Sequence, residues 1–561
     1  MNFSITWHLD PLELHLIEAF RRDFALCMQA LESDFSKGVV LWQKLHRDSR
    51  QIQSHAACLS VEDITNPQGI QESAVSLELE GLVHEAACAL DEKLVQLTEK
   101  EIEDLIQDKE IHYYLFQRRA LAQKRLSKKQ ETLIAKLQVH GFHSLNELYK
   151  IAYERMRIEV EGKRYSPGQI DNLFHSPLHE LRKKAFLALT DNCKEQEEIF
   201  AQILRSITGF RLDLNKERGW ENPFFEPYHN NRCEEKTVLA MWQAISQHKT
   251  LFVKFLKKKQ TLLGADQLCW YDIEAPIQSN TDAISYQDAC TRIIEAFSGY
   301  SQDLASFAKH ALKSGWCDVE NRQNKAYGGF CTPFPNTKES RIFLNYSESM
   351  HNMLVLAHEL GHAYHNHVLY DFAECAQLYP ITLAETASTT CELLLLQLLA
   401  KKGQASVWHD ICMRCCTFFL NIQARFLFEK MLFTEAKKGF VSSKMLSDMM
   451  LEAQKNAFSD ALDIYHPYFW ITKIHFYLTD YPSYNFPYTV GFCLSLALVK
   501  RALENPETFE QLYRAFLQDS GKMSVEAIVK KHFEQDATTV DFWLEAIQPA
   551  IDAFEQFVGD K

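Results

Sequence analysis

Glycine and proline are scarce in this chain, 19 and 15 among 561 residues, and so few breakers exclude a fold built from many short strands and predict long helices instead. Long apolar runs are missing too. The most apolar stretch, CELLLLQLLA at 391–400, is about half the length of a membrane span and is bracketed by polar residues; it is expected as a buried helix. Basic residues are outnumbered, 60 Lys+Arg against 74 Asp+Glu, and the net charge of −14 argues against a nucleic-acid backbone as the main partner. The first residues, MNFSITWHLDPLELHLIEAF, lack a basic start, a pure apolar segment and a small-residue cleavage site, so a cytoplasmic protein with no membrane partner is expected. No period of 20–50 residues repeats and no low-complexity tract is present. The 15 cysteines are scattered, and Cys412, Cys415 and Cys416, the tightest set, have no second Cys/His pair at zinc-finger spacing. Reduced core thiols are expected there.

What is present is an ordinary globular composition, 46% hydrophobic and 24% charged, in a chain long enough to divide into two or more lobes with a cleft between them. Residues 75–165 are charge-laced with apolar residues at helical spacing, and EGKRYSPGQIDNLFHSP at 161–177 gathers turn formers that suggest a boundary. The texture changes at 327–346, YGGFCTPFPNTKESRIFLNY, where strand-like pieces at about Gly328 to Thr332 and Arg341 to Asn345 flank a polar loop and predict a hairpin. Ser347 or Ser349 can cap the helix that follows.

That helix carries LVLAHELGHAYHNH at 354–367, with His358, Glu359 and His362 spaced as H-E-x-x-H. Positions four apart share a helix face, so the two imidazoles can bind one zinc ion, while Glu359, one residue round, can reach a water on that ion as a general base. Chance would produce the motif roughly once in twenty such sequences, so its surroundings matter. Met353, Ala357, Leu360 and Tyr364 form an apolar stripe, whereas His351, Val355, His358, His362 and His365 share another face; His365 and His367 are expected at the outer shell or surface. Zinc needs a third protein ligand. The arrangement with glycine three residues and histidine six residues after the second His is excluded by His365 and Val368. An acid on a following helix remains: Glu385 in PITLAETASTTCELLLLQ, with Glu374 in a turn and Glu392 two helical turns further on as alternatives. Glu385 could also be a first-turn acid favouring the helix dipole.

KIHFYLTDYPSYNFPYTVGF at 473–492 packs His475, Tyr477, Tyr481, Tyr484 and Tyr488 into fourteen residues. Neutral donors of this kind stabilise the oxyanion of a tetrahedral intermediate; an aromatic packing loop is the other reading.

AHELGHAYH, LAETASTT and the 473–492 segment, preceded by GGFCTPFPNTKESRIFLNY and by WYDIEAP at 270–276, resemble the oligoendopeptidase F branch of the M3 zinc metallopeptidases, related to thimet oligopeptidase. The resemblance runs over nearly the whole chain. It implies a mainly α, two-lobed, zincin-type fold with a small β-sheet near the active site and a deep substrate channel, divided into an N-terminal helical region at 1–175 and a catalytic region at 176–561. It also implies one Zn2+ per chain on His358, His362 and Glu385, with Glu359 as base and proton shuttle, and His475 and Tyr488 at the positions that bind the oxyanion or orient the substrate. Gly328, Gly329, Tyr481 and Tyr484 match substrate-binding regions. Where other members often have a tyrosine after the glycine of the last segment, this chain has Phe492. The expected enzyme is an endopeptidase for short unstructured oligopeptides, monomeric or a simple homo-oligomer. Its competitors are a peptide-binding scaffold, a helical interaction protein with a fortuitous motif, and an exopeptidase.

Overall fold

A computed structural model describes residues 3–12, 14–277, 283–404 and 406–559. Helix dominates, and the described strands form only a two-stranded and a three-stranded sheet. The chain divides into two compact units, one from residues 1–123, 281–402 and 494–536, the other from 124–280, 403–493 and 537–561.

The first unit begins with three long helices, Leu14–Ser33, Phe35–Glu62 and Pro67–Gln96. Short polar punctuation separates them: Asp34 caps the second by accepting from Lys37 N, and Asn66 caps the third with Pro67 just inside it. Phe20, Trp42, Leu45, Ile52, Leu79, Leu90 and Leu94 bury their apolar faces in one core. The small sheet has the order β3 (Cys317–Asp318), β5 (Glu339–Leu344), β4 (Gly329–Phe334), with β3 parallel and β4 antiparallel to β5. The expected hairpin is present, with Cys331 opposite Ile342 and strands that reach further toward the loop than the β-like residues alone suggested. β4 occupies an edge of this sheet. Ser349, the second of the two expected caps, starts the motif helix Met350–Leu369 by accepting from Asn352 N at 3.2 Å. The apolar run at 391–400 lies in the buried helix Ile381–Lys401, as expected.

The second unit is organised on the 39-residue helix His179–Glu217, whose Phe200, Leu204 and Ile207 share a core with Phe428, Trp470 and Tyr477. Residues 161–177 form the turn and second strand of a hairpin, β1 (Ile158–Val160) with β2 (Lys163–Tyr165), followed by the helix Pro167–Leu173. Glu161 and Gly162 both take positive φ, 53° and 78°, as a tight two-residue hairpin turn requires. Two stretches, Ser406–Ala436 and Phe486–Glu504, have the length and hydropathy of a membrane span, yet 67% and 78% of their apolar windows are buried inside the fold, as in core helices. All fifteen cysteines are free thiols, and Cys412, Cys415 and Cys416 are buried.

Candidate metal centre and an aromatic donor cluster

The motif helix and the helix Ile381–Lys401 pack at unusually close range because Gly361 has no side chain. A Cβ there would stand 2.7 Å from Ser388 Cα and 2.9 Å from Ala387 O. This approach brings Glu385 to the two motif histidines: one ligand atom from each of His358, His362 and Glu385 lies within 4.8 Å of the other two. His358 Nε2 is 3.1 Å from His362 Nε2 and 3.7 Å from Glu385 Oε2. Two imidazole nitrogens and one carboxylate oxygen form a donor set that suits zinc, three protein ligands being the number that would leave room for a water or substrate.

The other two candidate acids have different positions. Glu374 is buried and paired with His46 Nδ1 and Arg50 Nη1, both at 2.8 Å. Glu392, fully buried two turns after Glu385, meets the far side of the His358 ring, Oε1 to Nδ1 at 2.5 Å. A carboxylate there holds the proton on Nδ1 and turns the Nε2 lone pair toward Glu385 and His362. The sequence signal for Glu392 was its helical spacing from Glu385, which identified an acid near the site but not its role.

Glu359 is only 6% exposed, and its Oε2 has no hydrogen-bond partner among the described residues. Burial pushes its carboxyl up to about 7, with the His358 charge opposing and Glu385 reinforcing the shift. The same desolvation, with His358 and His365 adding to it, holds His362 well below the ordinary histidine value. Cys331 on β4 lies close enough to feel the Glu359 charge, but burial raises its thiol far above the normal range, which leaves it unreactive. His365 is not at the surface: it is fully buried, stacked on Tyr379 with ring centroids 3.9 Å apart, and its Nε2 lies 2.7 Å from Ser520 Oγ. His367 is exposed, as expected.

Gly329 opens β4 against this helix. A Cβ on it would lie 3.6 Å from Val355 Cγ1, one turn before His358, and 3.4 Å from Phe343 O. Gly328 has φ of 125° and open space around it, a conformation that favours glycine.

The remaining predicted residues lie in the second unit and form a cluster of their own. His475 sits in the 3₁₀ turn Ile474–Phe476, and Tyr488 in the first turn of the helix Phe486–Glu504. Ring centroids are 5.8 Å apart for His475 and Tyr484, 6.1 Å for His475 and Tyr488, 5.3 Å for Tyr484 and Tyr488, and 5.5 Å for Tyr481 and Tyr484. Polar anchors fix the loop: Asn146 Nδ2 donates to Tyr477 O at 3.1 Å, Arg211 Nη2 to Leu478 O, and Asn485 Nδ2 to the buried Glu429 at 3.0 Å. His475 Nδ1 is buried without a partner among the described residues, and burial together with the Arg425 and Lys473 charges lowers its pKa to about 3. It is a neutral ring with a ring nitrogen free for a ligand. Phe492 stacks on Phe418 at 4.2 Å in the core and offers no donor.

A family model described as peptidase family M3 matches residues 172–549, and one described as oligopeptidase F matches residues 93–158. An oligoendopeptidase F homolog of Lactococcus lactis subsp. lactis is 24% identical over 457 residues, 77% of this chain and 74% of the relative. Oligopeptidase PepF of Bacillus subtilis is 23% identical over 535 residues, 90% and 77% of the two chains. The crystal structure of oligoendopeptidase-F from Enterococcus faecium shares the fold, with a TM-score of 0.71 at 19% identity over 97% of both chains.

Proposed function

The chain belongs to peptidase family M3 and is a metalloendopeptidase, and from that premise we propose that it uses zinc to hydrolyse short, unstructured oligopeptides in the cytoplasm. The observation that carries this reading is the convergence of His358, His362 and Glu385 on one point. These three residues would hold one zinc ion per chain. Bound there, zinc supplies a Lewis acid that polarises the scissile carbonyl and makes water more acidic. Glu359 takes the proton from the attacking water at its carboxylate and later gives it to the leaving amine nitrogen. His475 and Tyr488 donate to the carbonyl oxygen as negative charge develops on it. Tyr481 and Tyr484 contact the substrate, and Gly328 and Gly329 let an extended peptide run beside the edge strand β4. No covalent enzyme intermediate is needed. The two family-model matches support an N-terminal helical region at 1–175 and a catalytic region at 176–561.

The test is mass-spectrometric mapping of fragments from a pool of blocked and unblocked peptides, with wild type and Glu359→Gln compared. Internal cuts in blocked peptides that vanish in the variant are expected. Trimming from one free end only would make the protein an exopeptidase, and no cleavage by wild type would make it a peptide-binding protein.

A further inference from the structure

Two cations beside the aromatic cluster have no counter-ion among the described residues. Arg425 and Lys473 flank the ring of Phe469, with the guanidinium carbon 5.5 Å and the ammonium nitrogen 5.1 Å from its centroid. Arg425 Nε donates to Asn421 Oδ1 at 2.8 Å, but its two terminal nitrogens meet no acceptor among the described residues. Lys473 Nζ likewise has neither a hydrogen-bond acceptor nor an ion pair among them.

Lys473 feels the Arg425 charge, and His475 feels both cations. Tyr488 in turn acts on Arg425. The acids that act on them, Glu429 on Arg425 and Asp171 with Glu274 on Lys473, form no ion pair with either. Burial accordingly disfavours both charges, bringing Arg425 down to about 10 and lowering Lys473. Two other arginines of this unit are ion-paired: Arg182 has Asp272 at 2.7 Å and Arg218 has Glu131 at 2.6 Å. Holding two partly desolvated like charges within electrostatic reach of each other is costly unless an anion joins them.

The Asn421 bond also fixes where Arg425 points. Asn421 ends a π-helical segment, Thr417–Asn421, that interrupts the surrounding α-helix, and Thr489 Oγ1 ties that segment's Phe418 O to the Tyr488 helix at 2.8 Å. Local widening of this kind rotates a helix's side chains out of register and is frequent at functional sites.

We propose that Arg425 and Lys473 form a carboxylate-binding subsite, filled by a carboxylate of the bound peptide and continuous with His475 and Tyr488. A planar guanidinium suits bidentate carboxylate recognition, and the ammonium completes the charge. This inference rests on the reading of His475 and Tyr488 as substrate-contacting residues. A peptide carboxylate could come from the C-terminus or from an acidic side chain.

The test uses three versions of one short peptide: a free C-terminal acid, its C-terminal amide, and the amide with an internal Gln→Glu change. Binding to zinc-loaded Glu359→Gln protein is measured by calorimetry, and kcat and KM are measured for wild type. The free acid is expected to bind about tenfold or more tightly than the amide, as a charge-assisted contact implies, with the difference in KM more than in kcat. Arg425→Gln and Lys473→Met, each made in the Glu359→Gln background, should reduce the acid-to-amide ratio toward one, and Arg425→Lys should restore it in part. If only the internal-glutamate peptide gains, the carboxylate comes from a side chain. Equal affinity for all three peptides overturns the subsite, and because that result needs no variant of Arg425 or Lys473, misfolding of those variants does not obscure it. Normal cleavage with equal affinities would overturn only the subsite. Absent cleavage with unequal binding would overturn the peptidase reading and keep the subsite.

Discussion

Glu359 and Glu392 are adjacent to the same histidine and are suited to opposite tasks. Glu359 keeps one carboxylate oxygen without a protein partner, which leaves it available to a water, whereas Glu392 contacts His358 Nδ1 and is suited to orienting the ring. Glu359→Gln should therefore retain zinc, measured by elemental analysis, while turnover falls by about 10²- to 10⁴-fold; near-normal turnover would remove it as the base. Glu392→Gln should instead weaken zinc affinity by about 10- to 100-fold, read by competition with a chromogenic chelator. Unaltered affinity would reduce Glu392 to a buried structural acid. Tyr488→Phe should lower kcat more than it raises KM, and an effect on KM alone would make that phenol a binding group.

At the scale of elements, the metal centre depends on how closely two helices cross. Alanine ordinarily stabilises a helix by roughly 1 kcal/mol relative to glycine, but a Cβ on Gly361 would meet the backbone of the neighbouring helix at 2.7 and 2.9 Å. Backbone cannot rotate aside as a side chain can, so overpacking, which costs about 1–3 kcal/mol, should outweigh the helix preference. Gly361→Ala is expected to lower the urea midpoint and, by moving Glu385 away from His358 and His362, to weaken zinc binding as well. A variant of unchanged stability and zinc affinity would show that the crossing can relax without cost.

For the whole molecule, buried neutral histidines contribute to the acid limb of stability. His466 is fully buried among Phe186, Trp270 and Phe469, with neither ring nitrogen bonded among the described residues. Burial, helped by the Lys473 charge, lowers its pKa from 6.5 to about 3. Below pH 6.5 the unfolded chain takes a proton there that the folded chain refuses until about pH 3, so this contribution is full above 6.5 and is lost as pH falls toward 3. His466→Phe should flatten the fall in urea midpoint across that window. An identical slope in the variant would mean that the folded site protonates normally.

Much of this was legible in linear form. The scarcity of glycine and proline and the helical spacing of apolar residues pointed to a mainly helical chain. H-E-x-x-H placed two donors and an acid on one helix because a four-residue step returns to the same face. The hairpin at 329–344 was readable because its turn formers and β-branched or aromatic residues agree locally. Three acids, Glu374, Glu385 and Glu392, remained open as the third ligand, because choosing among them requires the crossing of two helices, and that crossing is set by the absence of a side chain at Gly361. The burial of His365, the seat of Glu374 against His46 and Arg50, and the lack of an ion pair for Arg425 and Lys473 among the described residues left no local mark either. The sequence by itself determined the helical class and the residue types available for chemistry, since both depend on short-range periodicity. Only the tertiary structure decided which charges meet a partner and which do not, because pairing depends on segments that are far apart in the chain and adjacent only once their apolar faces have packed.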